Sequence, residues 1–102
     1  MIRHCVFLKF KADITDADKQ AIYSRLNGLR DVISGISDAS FGPNISPEGR
    51  TQGYDDGFTM DFDDLAVRDA YLENPDHRAV GQQLVSLLEG GRAGLLVFDM
   101  EV

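Results

Sequence analysis

Apolar residues occupy every second position at the start of the chain, a spacing typical of a β-strand. One side of this segment is formed by Ile2, His4, Val6, Leu8 and Phe10. The other side carries Cys5 and Phe7 between Arg3 and Lys9. Because successive side chains of a strand point to opposite faces, the pattern predicts a strand over residues 2–11 with apolar side chains on both faces.

A helical spacing follows this strand. Apolar residues recur at intervals of four, three and four, at Ile22, Leu26, Leu29 and Ile33. Thr15 is suited to an N-cap, and Asp16 and Asp18 place negative charge in the first turn, where the helix dipole favours it. We therefore predict an amphipathic helix that begins after Thr15 and ends near Gly35.

Two strands are expected in the middle of the chain. Residues 36–42 form the weaker pattern, with Ala39 and Phe41 pointing inward. Residues 54–62 alternate more regularly. The apolar side of that segment consists of Tyr54, Phe58, Met60 and Phe62. A polar loop of about ten residues lies between the two strands, and ordered loops of this length are often functional.

The last third of the chain predicts a helix in two pieces, followed by a strand. Asp63 or Asp64 can cap the first piece. Its spaced apolar residues are Leu65, Val67, Ala70 and Tyr71. Asn74-Pro75 then interrupts the helix, and proline suits the first position of a new one. The stripe on the second piece is formed by His77, Val80, Leu84 and either Leu87 or Leu88. Gly90-Gly91 ends this piece, and residues 95–98 are apolar on both sides.

The element order is therefore β-α-β-β-α-β, with the second helix broken in two. This order predicts an α+β, ferredoxin-like fold, a four-stranded antiparallel sheet with helices on one face. The helices cover only one face, yet the first and last strands are apolar on both faces. A second copy of the chain, packed sheet to sheet, would cover the remaining face, so we predict a homodimer.

Length and charge narrow the classes of function. With 102 residues the chain predicts one domain over residues 1–102. The formal net charge of −7 disfavours nucleic acid and anionic lipid as partners. No apolar run approaches the ~20 residues of a membrane helix, and the first residues do not resemble a secretory leader. Cys5 is the single cysteine, which excludes an intramolecular disulfide and favours the cytoplasm.

Three residues are candidates for chemistry. His4 and His77 are the two histidines, and both fall on predicted inward faces. Tyr71 precedes His77 by six residues, and the break at Asn74-Pro75 can bring the two side chains towards one pocket. A neutral imidazole is a natural general base near neutral pH, and a phenol can donate to a developing oxyanion. The competing interpretation, that all three are structural residues at the edge of the core, stands equally at this point.

Neither a metal nor a cofactor is expected. The histidines lie in separate elements and do not match a known ligand spacing. An aspartate-rich segment between residues 55 and 64 could attract a hard cation, but strand alternation spreads these side chains over two faces and a helix cap. The glycines near residue 50 do not lie between a strand and a helix, as a phosphate-binding loop would require.

Four segments in order resemble the stress-responsive A/B barrel (Dabb) domain family. Residues 4–11 are similar to its His-x-Val-x-Phe-Lys-Phe-Lys opening, and residues 44–54 are similar to the loop that enters its third strand. Residues 71–77, Tyr-Leu-Glu-Asn-Pro-Asp-His, resemble its Tyr-Leu-x-His-Pro-x-His motif, with Asn74 at the first histidine. Residues 96–99 resemble its last strand.

This resemblance implies a dimeric α+β barrel built by sheet-to-sheet pairing, an association with stress response, and no defined biochemical activity. The family also has a branch of cofactor-free polyketide cyclases, of the olivetolic acid cyclase type, that catalyse an aldol condensation. The motif of that branch implies His77 as the base, with Tyr71 and His4 beside it. A further histidine of that branch corresponds to Asp56 here.

Two functions follow as expectations. The first is a Dabb homodimer of undefined activity with a small-molecule cleft. The alternative is a cofactor-free cyclase or lyase, in which His77 removes a proton beside the carbonyl of a small apolar ligand, Tyr71 holds the oxyanion and His4 orients one of them. A binder that uses the same cleft without turnover is a third class.

Overall fold

The computed structural model describes all 102 residues, and its strands and helices occur in the predicted order. The strands are β1 (Ile2–Leu8), β2 (Ile36–Pro43), β3 (Asp56–Phe62) and β4 (Leu95–Glu101). The α-helices are α1 (Asp16–Gly28), α2 (Leu65–Glu73) and α3 (Pro75–Ser86). Short 3-10 turns at Leu29–Asp31 and Gly91–Gly94 precede β2 and β4.

The four strands form one antiparallel sheet in the order β2-β3-β1-β4. This topology confirms the predicted ferredoxin-like architecture. The sheet is open, because β2 and β4 are edges that do not pair with each other. A single chain therefore does not close into a barrel, and the dimeric barrel that the resemblance implies would require a second copy.

Helix α1 begins as the sequence predicts but ends earlier. Thr15 and Asp18 form a reciprocal capping box, in which each side chain accepts a hydrogen bond from the other residue's backbone N–H. The α-helix ends at Gly28 and continues as a 3-10 turn to Asp31. The chain then turns at Gly35, whose φ is +95°. A Cβ at this position would also lie 2.6 Å from a methyl carbon of Val67, so the turn packs closely against α2.

The core lies between the helices and one face of the sheet. The buried apolar residues include every member of the predicted α1 spacing, the three apolar residues of β3, and both Val80 and Leu84 of α3. Leu88 completes the α3 stripe and is fully buried. Leu65 differs from its prediction, because its position at the first turn of α2 leaves it 52% exposed.

The opposite face of the sheet has no helix over it. The strand register places alternate residues of β1 and β4 on this open sheet face. It carries Cys5, Phe7, Leu96, Phe98 and Met100. The four large apolar side chains of this set are exposed, and Phe98 is 51% exposed. The structure thus leaves uncovered the apolar face that the sequence pattern predicted.

None of the helices is both long enough and apolar enough to cross a lipid bilayer.

Candidate functional site

A cleft of about 440 Å³ lies between α3 and the half of the sheet formed by β1 and β4. Nine of its fifteen lining residues are hydrophobic. His4, Tyr71 and His77 all line it, so the structure brings the three predicted site residues to one cavity. Mostly apolar walls with a few convergent polar groups are typical of small-molecule sites.

The break between α2 and α3 positions Tyr71 against His77. Asn74 has an extended backbone and ends α2, and its side chain then accepts a hydrogen bond from the N–H of Asp76 to cap α3. Pro75 occupies the first position of α3, where a missing N–H has no cost. The Tyr71 and His77 rings consequently lie with their centroids 4.0 Å apart.

His4 is held from the neighbouring strand. Its Nδ1 lies 2.6 Å from a carboxylate oxygen of Asp99, the residue directly opposite in the β1–β4 register. The other oxygen of Asp99 accepts a hydrogen bond from the Arg68 guanidinium at 3.2 Å. A carboxylate at this distance fixes the Nδ1–H tautomer of a neutral imidazole, which leaves Nε2 as an acceptor. The His4 ring meets the edge of Tyr71, with centroids 5.8 Å apart.

Tyr71 is the largest fully buried side chain, with 1% of its surface exposed. Burial raises the pKa of its phenol above the ordinary value, because the phenolate would lose its hydration. The hydroxyl therefore remains a hydrogen-bond donor throughout the neutral pH range. Tyr71 lines the cleft, and its hydroxyl is not one of the buried polar groups that lack a hydrogen-bond partner.

His77 is half-buried at the wall of the cleft. Burial lowers the pKa of its imidazole below the ordinary value, and the backbone of Leu72 opposes this effect in part. Arg78 lowers it further, because its positive charge disfavours a second one nearby. Nδ1 of His77 is fully buried and has no hydrogen-bond partner. His77 is thus neutral, and can act as a base, at pH 7.

Comparison with known proteins shows which family the chain belongs to. The family model of the stress responsive A/B barrel domain, Dabb, matches residues 2–102. The chain is a Dabb-domain protein. A dimeric ferredoxin-like protein of unknown function from Jannaschia sp. CCS1 is 32% identical to this Dabb chain, with a TM-score of 0.89 over 99% of this chain and 98% of the other.

Two enzymes are also similar to this Dabb domain. Olivetolic acid cyclase of Cannabis sativa is 26% identical over 98 residues, which cover 96% of this chain and 93% of the cyclase. Hydroxynitrile lyase from Passiflora edulis has a TM-score of 0.86 over 99% of this chain and 92% of the lyase. At 16% identity, the likeness to the lyase shows the fold alone.

The stability of this Dabb domain is expected to depend on pH through His77. Unfolded His77 takes up a proton as pH falls through about 6.5, whereas folded His77 stays neutral to lower pH. Unfolding is therefore coupled to proton uptake below that value, so the free energy of unfolding falls as pH decreases. Urea unfolding at a series of pH values should give a shallower acid decline for His77→Gln than for the wild type. Equal slopes for the two proteins would contradict the lowered pKa.

Three other residues considered from sequence lie outside the cleft. Cys5 faces the open side of the sheet, so it does not pair with His4, and burial raises the pKa of its thiol. The Asp56 carboxylate accepts a hydrogen bond from Lys19 Nζ at 3.0 Å, beside a second hollow of about 360 Å³ that contains neither histidine. Asn74 serves as the α3 cap. The aspartates do not assemble into a cluster that could hold a metal ion.

Several residues of the site were missed by reasoning from sequence. Asp99 holds His4 but does not line the cleft, and its role depends on the pairing register of β1 with β4, which neither strand specifies alone. Arg78, Gly81, Gln82 and Val85 line the cleft along one side of α3. Arg78, Gln82 and Val85 follow a spacing of four and three, so the helical period is a signal that would have found them.

Proposed function

We propose that this Dabb domain binds a small apolar carbonyl compound in the cleft and removes a proton from it without a cofactor. The observation that carries the proposal is the ring-to-ring contact of Tyr71 with His77 at 4.0 Å within a mostly apolar cavity. A neutral base and a protonated phenol side by side are the two groups that enolisation requires.

In the proposed reaction the C–H bond beside the substrate carbonyl breaks, and its proton passes to Nε2 of His77. The electron pair of that bond moves into the new carbon–carbon double bond, and negative charge develops on the carbonyl oxygen. The Tyr71 hydroxyl donates a hydrogen bond to this oxyanion. His4, fixed by Asp99, contacts the Tyr71 ring and orients it. The enolate then attacks a second carbonyl, expels a leaving group or takes back a proton.

The similarity to a cyclase that covers 96% of the chain supports this assignment, as does the place of Tyr71 and His77 in the cleft. The similarity to a dimeric ferredoxin-like protein supports the broader statement, a Dabb domain that pairs with a second copy. A binding protein that uses the same cleft without turnover is the second candidate, favoured by the mostly hydrophobic lining of the cleft.

We also propose that residues 1–102 act as one domain that pairs with a second copy through the open sheet face. The exposed Phe7, Leu96, Phe98 and Met100 support this pairing, since soluble monomers rarely leave such a patch uncovered. An ion pair of Arg3 with Asp61 at 2.9 Å, on the same face, would form part of a polar rim. A cytoplasmic location and a role in stress response complete the proposal, on the basis of the single cysteine and of family membership.

Proton NMR of the two histidine rings tests the proposed site. His4→Ala and His77→Gln assign the ring resonances. Addition of 4-pentylphenol, a neutral mimic of an apolar enol, is expected to shift the His77 resonance until the shift saturates. The protein should remain folded throughout the titration. Gln83→Ala, at an exposed position of α3 outside the cleft, is the control and should respond like the wild type. Absence of a saturable response at His77 would show that the cleft does not accept such ligands.

A further inference from the structure

Two arginine side chains at the cleft have no partner within the protein. Arg78 lies in the first turn of α3, and Arg92 lies in the 3-10 turn that leads into β4. Both line the cleft and are exposed, and neither forms a hydrogen bond or an ion pair of its side chain. By contrast, Arg3 and Arg68 are bonded to carboxylates. The two cleft arginines thus keep their full donor capacity for a ligand.

The charge of the cleft is opposite to that of the molecule. The chain has 17 acidic residues and 10 Lys and Arg residues, yet none of the fifteen cleft-lining residues is acidic. The carboxylate of Asp99, which contacts the cleft residue His4, is engaged by His4 and Arg68. A cavity with two free guanidinium groups and low-polarity walls attracts an anion, since field lines concentrate where the dielectric constant is low.

The middle of the cleft has room for an apolar body. Gly81 lies on the cleft side of α3, and a Cβ added there would meet no atom within 4 Å. Glycine lowers helix stability relative to alanine, and neither φ nor a close contact requires glycine at this position. Its effect is therefore to leave open space at this position on the cleft side of α3. Val97 also lines the cleft and is 51% exposed.

We propose that the cleft ligand is an amphipathic carboxylate, with its anionic group on Arg78 and Arg92 and its apolar body against Gly81. This inference rests on the proposed function, because it names the substrate class of the same site. A carbonyl compound that carries a carboxylate would then present its acidic C–H to His77 while the guanidinium groups hold the other end. Arginine binds carboxylate by paired charge-assisted hydrogen bonds, which also fix orientation.

Matched ligands test the charge requirement on the intact protein. We would measure the Kd of 4-pentylbenzoate and of the uncharged 4-pentylbenzamide from the His77 ring shift. The benzoate is expected to bind about ten-fold more tightly at low salt, with the advantage reduced by added salt. Arg78→Gln combined with Arg92→Gln should equalise the two ligands. The control Arg50→Gln changes net charge in the loop before β3, outside the cleft, and should preserve most of the difference.

A third variant separates the possible failures. Gly81→Leu fills the proposed space from an open helical position and should abolish binding of both ligands while the protein stays folded. If benzoate and benzamide bind equally to the wild type, the carboxylate inference is wrong and the cleft remains a ligand site. If neither ligand binds the wild type, or Gly81→Leu binds both unchanged, the site itself is wrong and the proposed function fails with it.

Discussion

Phe98→Asp is expected to convert a homodimer into folded monomers. Phe98 lies on the open sheet face and is 51% exposed in the single chain. A two-fold dimer through this face would bury Phe98 of both protomers. The single substitution would therefore place two carboxylates in an apolar interface. At roughly 2 kcal/mol or more per buried polar group, the loss approaches 4 kcal/mol, or about a thousand-fold in Kd. Leu96→Asp should act in the same way.

Sedimentation equilibrium at micromolar concentration measures this effect, and circular dichroism shows whether the monomer is folded. Val32→Asp is the matched control, because Val32 is 58% exposed and follows the turn after α1, away from the open sheet face. It should leave the mass of the assembly unchanged. A wild-type monomer, or a Phe98→Asp protein that remains fully dimeric, would overturn the proposed interface.

His77→Gln is expected to remove most of the proposed proton-transfer activity. The glutamine keeps much of the volume of the imidazole but cannot accept a proton, and a general base typically contributes 10²–10⁴-fold. The assay is deuterium incorporation into 1-(4-pentylphenyl)propan-2-one in D₂O, followed by NMR. This ketone is neutral, so the result is independent of any carboxylate requirement. Tyr71→Phe should reduce exchange less, since it removes the oxyanion donor and leaves the base.

The outcome depends on both variants remaining folded, which circular dichroism and urea unfolding check. Gln83→Ala, at an exposed position of α3 outside the cleft, should exchange the ketone at the wild-type rate. Equal exchange rates in wild type and folded His77→Gln would contradict the general-base role. Loss of folding in His77→Gln would show that His77 supports the structure, and an unchanged exchange rate in folded Tyr71→Phe would contradict the oxyanion-donor role.

The order of the elements was predictable because each has a strong local signal. The alternation of β1, the Thr15 cap and the Asn74-Pro75 break all appear in the structure as the sequence indicates. The ends of elements were less predictable. The apolar spacing that began in α1 continues through Leu29 and Ile33, but a 3-10 turn satisfies it there. The spacing of apolar residues therefore does not by itself distinguish an α-helix from a 3-10 turn.

The predicted ends of two strands were wrong for a related reason. The alternation of β1 runs on to Phe10, yet continuous pairing stops at Leu8 and Phe10 makes a single isolated bridge with Leu88. The last strand is longer than expected, because residues 99–101 are partly polar but still pair with β1. In both cases the partner strand, and not the local pattern, decides where pairing ends.

The candidate site was predictable in part. The motif residues Tyr71 and His77 lie in contact as the helix break suggested, and His4 lines the same cleft. Asp99 was not predicted, since its link to His4 depends on the register between strands that are more than ninety residues apart. Arg78 and Arg92 were also missed, because exposed charges in an acidic chain are ordinarily solvated. Only the cavity shows that both border the same space.

The break at Asn74 determines where the chain can change length. In one continuous helix, side chains six residues apart point in directions about 120° apart and could not place their rings in contact. Here a single extended residue between α2 and α3 supplies the whole change of direction. An inserted or deleted residue between Tyr71 and His77 would rotate one ring away from the other. The loop over residues 44–55 contributes no residue to the cleft, so it can lengthen or shorten without moving the pair.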